Sequence, residues 1–113
     1  MILEPGSKVL IVHRRLYEKD KGRYFIGTAD RCEDGLAKVT GKTWVQDTFN
    51  GKFLKKEDAR VKIIPLTSAG LIIYVLPAKV DLERLEFSFS GKGNVFLEDK
   101  HNGFHMDLSE SCH

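Results

Sequence analysis

The stretch AGLIIYVLP, residues 69–77, decides the fold. It holds six large apolar side chains in succession, Leu71, Ile72, Ile73, Tyr74, Val75 and Leu76. In a strand, neighbouring side chains leave on opposite faces, so both faces of this segment are apolar and both need cover. Pro77 has no amide hydrogen and ends the run. KVLIVH, residues 8–13, has the same two-sided character through Val9, Leu10, Ile11 and Val12.

Between these two segments the chain reads as further strands and turns. YFIGTADRC, residues 24–32, is a strand. EDG, residues 33–35, is a tight turn in which Gly35 supplies a positive φ. LAKVTGKTWV, residues 36–45, is the returning strand, with Gly41 a bulge or bend. FNGKF, residues 49–53, places Asn-Gly between aromatic residues, a strong hairpin cue. RVKII, residues 60–64, is the fourth strand, with Val61 and Ile63 on one face, and residues 71–76 form the fifth.

The remainder has a different texture. AKVDLER, residues 78–84, suits one helical turn. Leu85, Phe87 and Phe89 then alternate with Glu86, Ser88 and Ser90. Val95 and Leu97 alternate with Phe96 and Glu98, and Phe104, Met106 and Leu108 alternate with His105 and Asp107. This is a three-stranded antiparallel meander with one apolar face. A loop over residues 100–103 pairs Leu97 with Met106 and puts His105 opposite Glu98; a tighter Asn102-Gly103 turn pairs Leu97 with Leu108.

The fold expected is therefore all-β, in a single domain spanning residues 1–113. A small five-stranded curled sheet or barrel over residues 1–77 is followed by a meander over 78–113 that packs on it. Full burial of one large apolar side chain is worth about 1.5–3 kcal/mol, so the meander's apolar face is a large contribution. The competing cover for residues 71–76 is a second subunit, which makes Leu71, Ile72, Ile73, Tyr74 and Val75 candidate interface residues.

KVLIVH, the charged connection after it and YFIGTADRCEDGLAKVTG resemble, over residues 8–76, the small barrels of the Src-homology, Tudor and Sm-like kind. The Sm-like resemblance implies a ring oligomer that binds single-stranded RNA. The turn here is CEDGL where that family carries its Asp and Asn. Its later Arg-Gly pair is missing, because LIIYVLP follows RVKIIPLTSAG. The resemblance thus implies a fold and transfers no RNA-binding residues.

Composition bounds the function. The 113 residues carry a net charge of +2, and no apolar run approaches the roughly 20 residues of a spanning helix. MILEPGSK has no secretory pattern, and the two cysteines, Cys32 and Cys112, make no disulfide framework. A cytoplasmic, non-membrane protein with reduced thiols is expected. Lys and Arg concentrate in residues 1–65, while the later part is mildly acidic.

Three constellations bear on chemistry. Arg14, Arg15, Tyr17, Arg23 and Tyr24, with Trp44, Lys52 and Phe53, interleave cations and rings as binding surfaces do. Glu18, Asp20, Glu57 and Asp58 are threaded through the same stretches. His101, His105, Asp107, Cys112 and His113 are Zn²⁺-ligand types, but their spacing makes no compact ligand set. Cys32 lies beside Arg31, with His13 one strand away, and has no nucleophile motif around it. The expectation is a non-enzymatic binding or assembly module without a metal or cofactor. Its partner is a second copy or another protein, and the alternative is single-stranded nucleic acid.

Overall fold

The computed structural model describes residues 3–13, 22–47, 51–89 and 94–108. Arg14, Arg15 and Tyr17, most of the turn at residues 91–94, and Cys112 and His113 lie outside the described residues.

The chain is all-β. Six strands, β1 (Lys8–His13), β2 (Gly22–Glu33), β3 (Leu36–Gln46), β4 (Phe53–Lys55), β5 (Arg60–Pro65) and β6 (Leu71–Leu76), form one curled antiparallel sheet. The order is β4-β3-β2-β1-β6, and β5 also pairs with β3. A further three strands, β7 (Glu86–Phe89), β8 (Val95–Asp99) and β9 (Phe104–Asp107), form the meander. A 3-10 turn at Leu82–Arg84 occupies the segment that reads as one helical turn.

The first sheet has one strand more than the sequence suggests. The segment after the Asn-Gly pair is itself a short strand, with Gln46 opposite Phe53 and Trp44 opposite Lys55. β4 and β5 lie end to end along β3, which is long enough to serve both. The irregularity between β2 and β3 falls between Ala29 and Arg31 and not at Gly41. Gly41 instead faces Gly27 across the ladder. A Cβ on Gly41 would stand 2.1 Å from the Ile26 carbonyl oxygen, and one on Gly27 would stand 2.2 Å from that of Thr40. Only glycine at both places lets the backbones approach so closely, and the sheet curls there. The β2–β3 turn is the Asp-Gly type, with φ of 52° at Asp34 and 77° at Gly35.

Curling divides the apolar residues into two cores. Val9, Ile11, Phe25, Ala29, Ala37, Val39 and Ile64 meet on the concave inner face. On the outer face, Leu10, Tyr24, Ile26 and Leu76 meet Val80, Leu85, Val95 and Leu97 from the meander and its connector. The two-sided strands at 8–13 and 71–76 thus lie between the two cores. The last hairpin takes the longer-loop register, with Leu97 opposite Met106 and Glu98 opposite His105.

One polar residue is completely buried at the joint between the layers. Asp99 accepts hydrogen bonds from the Asn102 side-chain amide at 2.7 Å, the Asp81 N–H at 2.8 Å and the Asn102 N–H at 3.3 Å. It ties the turn after β8 to the connector before β7. Lys8 closes the other side of that connector by donating to the carbonyls of Ala78 and Val80. The Asn102 amide, followed by the Asp81 N–H, holds the Asp99 carboxyl below its ordinary range, near 3.8. Between these two pKa values the unfolded chain binds a proton that the native chain does not. The stabilisation is therefore complete above about pH 4 and is lost as the pH falls through the lower native value. Asp99→Asn is expected to lower stability at neutral pH and to flatten this acid limb. Melting curves from pH 2 to 6 test it, and parallel acid limbs in the two proteins would refute it.

Candidate functional site

Three surfaces come out of this architecture. The first gathers the aromatic residues singled out in the sequence. Tyr24, Trp44 and Phe53 all stand on the outer face, where β7 passes over them. Phe87 lies at their centre: its ring is stacked on Phe53 at 4.7 Å and tilted against Tyr24 at 4.8 Å, and it meets Trp44 at 5.2 Å. Tyr24 is buried, and Trp44 and Phe53 are half-buried. The three rings form the seam between the layers. Trp44, Lys52 and Phe53 still line a shallow hollow at the end of that seam, facing Glu86, Phe87 and Phe89.

Strand β6 is placed differently from a bare interface. Leu71 and Ile73 pack on the inner core and Tyr74 under the meander, while Ile72 is half-buried opposite Val12. Val75 is the member of the stretch left exposed, at 61%. The meander thus covers Tyr74 and Leu76 on one face of the strand, and the inner core covers Leu71 and Ile73 on the other.

The second surface is the part of the outer face that the meander does not reach. On β3 and β5, Leu36, Val61 and Ile63 point outward and are 45%, 58% and 61% exposed. Ile64 and Lys62 alternate with them and point inward, so the apolar pair in RVKII is the exposed one. Arg31, Glu33, Asp34 and Lys38 surround Leu36 and Ile63 in a shallow hollow. Arg31 forms an ion pair with Glu33.

The third surface is the end of the inner face where β1 finishes and β2 begins. His13 is directly opposite Arg23 in the β1–β2 ladder. Both share the inner face with Ile11 and Phe25. From β5, Lys62 and Arg60 share the face of buried Ile64, and the Lys62 ammonium lies 4.5 Å over the Phe25 ring. Burial, then Arg23 and Arg60, lower the Lys62 pKa; burial, then Lys62 and Arg23, lower that of His13. Lys62 thus feels both arginines, and His13 feels Lys62 and Arg23, as like charges. Sequence reasoning picked out Arg23 and missed its company, because β1, β2 and β5 meet only through the curl.

The remaining candidates do not assemble. Cys32 packs on the inner core at the end of β2 remote from His13, and its neighbour Arg31 is paired with Glu33. His105 packs on Phe96 at 5.1 Å, with its Nε2 4.0 Å from Glu98. His101 lies in the 3-10 turn at Lys100–Asn102, and Asp107 ends β9. Among the described residues, no three His, Cys, Asp or Glu side chains gather as a metal site. Among the same residues, no helix is long and apolar enough to cross a membrane.

Comparison with protein-family models, with curated proteins and with solved structures gives no match.

Proposed function

We propose that the chain is a non-enzymatic binding and assembly module that self-associates through the outer face of β3 and β5. The observation that carries this reading is the trio Leu36, Val61 and Ile63, exposed side by side on a face that the meander leaves bare. Contiguous apolar side chains of this size on an edge strand favour contact with another surface over contact with water. β5 pairs with β3 alone among the described strands, so its outer edge also offers unpaired backbone groups.

The rim argues for a second copy as the occupant. It carries both signs, Arg31 and Lys38 against Glu33 and Asp34. A two-fold axis through such a patch sets each sign against its opposite, as an isologous contact requires. The alternative reading, a single-stranded nucleic-acid binder, needs rings open to bases. Tyr24, Trp44 and Phe53 are instead turned against Phe87.

The test is mass against concentration, by light scattering or sedimentation. The wild-type protein is expected to pass from monomer to dimer as concentration rises. Ile63→Lys is expected to remain monomeric with its melting temperature almost unchanged, since exposed substitutions generally alter stability by no more than about 0.5 kcal/mol. A wild-type chain that stays monomeric at every accessible concentration refutes the reading.

A further inference from the structure

We propose that the end of the inner face where β1 finishes and β2 begins carries a phosphate-binding site, formed by Arg23, Arg60, Lys62 and His13. It lies on the opposite side of the sheet from the assembly surface and does not depend on it.

The argument begins with strand alternation. Phe25 and Ile11 are buried on the inner face, so Arg23 and His13, two residues away on their respective strands, project to the same side. Ile64 is buried there too, which fixes Lys62 and Arg60 on that side of β5. The Lys62 ammonium over the Phe25 ring shows that this β5 cation reaches across toward β2. Three strands thus deliver two guanidinium groups, an ammonium and an imidazole to one end of the concavity.

Among the described residues, such a grouping holds like charges together and partly desolvates Lys62, which costs free energy. No carboxylate of the described residues forms an ion pair with Arg23, Arg60 or Lys62. The acids in reach of neighbouring lysines act elsewhere: Glu57 and Glu83 lie 3.7 Å and 3.8 Å from Lys42 on the outer face. An anion bound there would relieve the repulsion. A single carboxylate offsets one charge of three. A phosphate group carries up to two charges and presents several oxygens, which suits cations converging from different strands.

The geometry also favours a compact phosphate over a nucleic-acid strand. Among the described residues, these cations share one face and one end of the sheet. The ring among them, Phe25, is 1% exposed and offers no face to a base. Lys62 covers that ring.

Titration with inorganic phosphate and pyrophosphate in a low-salt buffer, followed by NMR, tests the proposal. Saturable shifts are expected at the His13 ring and at the amides of Arg23 and Lys62. Arg23→Gln and Lys62→Gln, which keep most of the aliphatic stem, are each expected to weaken binding by about tenfold, the scale of a lost charge-assisted hydrogen bond. Lys38→Gln on the outer face is expected to bind as wild type. A thymidine oligonucleotide with and without a 5′-phosphate separates the sources of the group. Binding that requires the terminal phosphate supports a single-phosphate site. Equal binding of both oligonucleotides, tightening with length, overturns it in favour of a polyanion track. The absence of saturable shifts with either inorganic anion overturns it outright, as does unaltered affinity in both Gln variants.

Discussion

Gly41→Ala is expected to unfold the protein or to lower its melting temperature by roughly 15 °C, the equivalent of a loss near 4 kcal/mol in a domain of this size. The added methyl would sit 2.1 Å from the Ile26 carbonyl oxygen, 2.6 Å from the Gly27 Cα and 2.7 Å from the Ile26 carbonyl carbon. All three obstacles are backbone, so no side-chain rotation makes room. Relief requires β2 and β3 to separate, and these strands join the inner core to both sheet edges. Gly35→Ala is the control. Its φ is 77°, but nothing lies within 4 Å of the new Cβ, so the cost is that of a left-handed alanine, about 1–2 kcal/mol. Thermal melts of the two variants should differ widely. A Gly41→Ala protein as stable as Gly35→Ala would mean that the close approach does not set the curl.

The same curl separates what the sequence reveals from what it hides. The meander is legible because its alternation is local: Leu97 and Met106 must share a face in either register of the last hairpin. The two-sided runs at 8–13 and 71–76 announce burial on both sides, which is where the two cores place them. Asp34-Gly35 announces its turn. Features that depend on distant strands are not legible. β4 is three residues long and exists because β3 continues past the end of β5 to offer it an edge. Val61 and Ile63 read as one face of a strand, with nothing local to say which way it looks; the curl turns Ile64 inward and leaves that pair bare. Asp99 opens DKHNG, a stretch that reads simply as a turn. Its burial follows from the docking of residues 78–81 on the end of β8.

The candidate site divides in the same way. Residue types that bind were recognisable in Arg23, Tyr24, Trp44 and Phe53, but their direction was not. Consecutive residues on one strand part company, so Tyr24 joins the seam under the meander while Arg23 joins His13 on the inner face. Lys62 and Arg60 look like the polar half of an ordinary amphipathic strand. Only the three-dimensional meeting of β1, β2 and β5 turns them into a cluster.

Leu97→Ala is expected to cost about 3 kcal/mol, within the range for large-to-small changes at buried leucines. Leu97 is fully buried and lies between Phe87 and Met106 on the face that meets Leu10 and Ile26. Its loss leaves a cavity between the two layers, where β strands on both sides resist collapse. Phe96→Ala, one residue earlier and on the other face of β8, removes a ring that packs on His105 and is expected to cost about 1 kcal/mol. Comparable losses in the two variants would show that the layers do not share a core. Trp44, the sole tryptophan, sits at the seam 5.2 Å from Phe87 and reports directly on their contact. Its fluorescence should change together with the far-ultraviolet dichroism in both the wild-type protein and Leu97→Ala, because Leu10, Tyr24, Ile26 and Leu76 cannot lose the meander without exposing one face of the curled sheet. A tryptophan transition that clearly precedes the loss of strand structure would mean that the meander detaches alone, and that the curled sheet is stable without its cover.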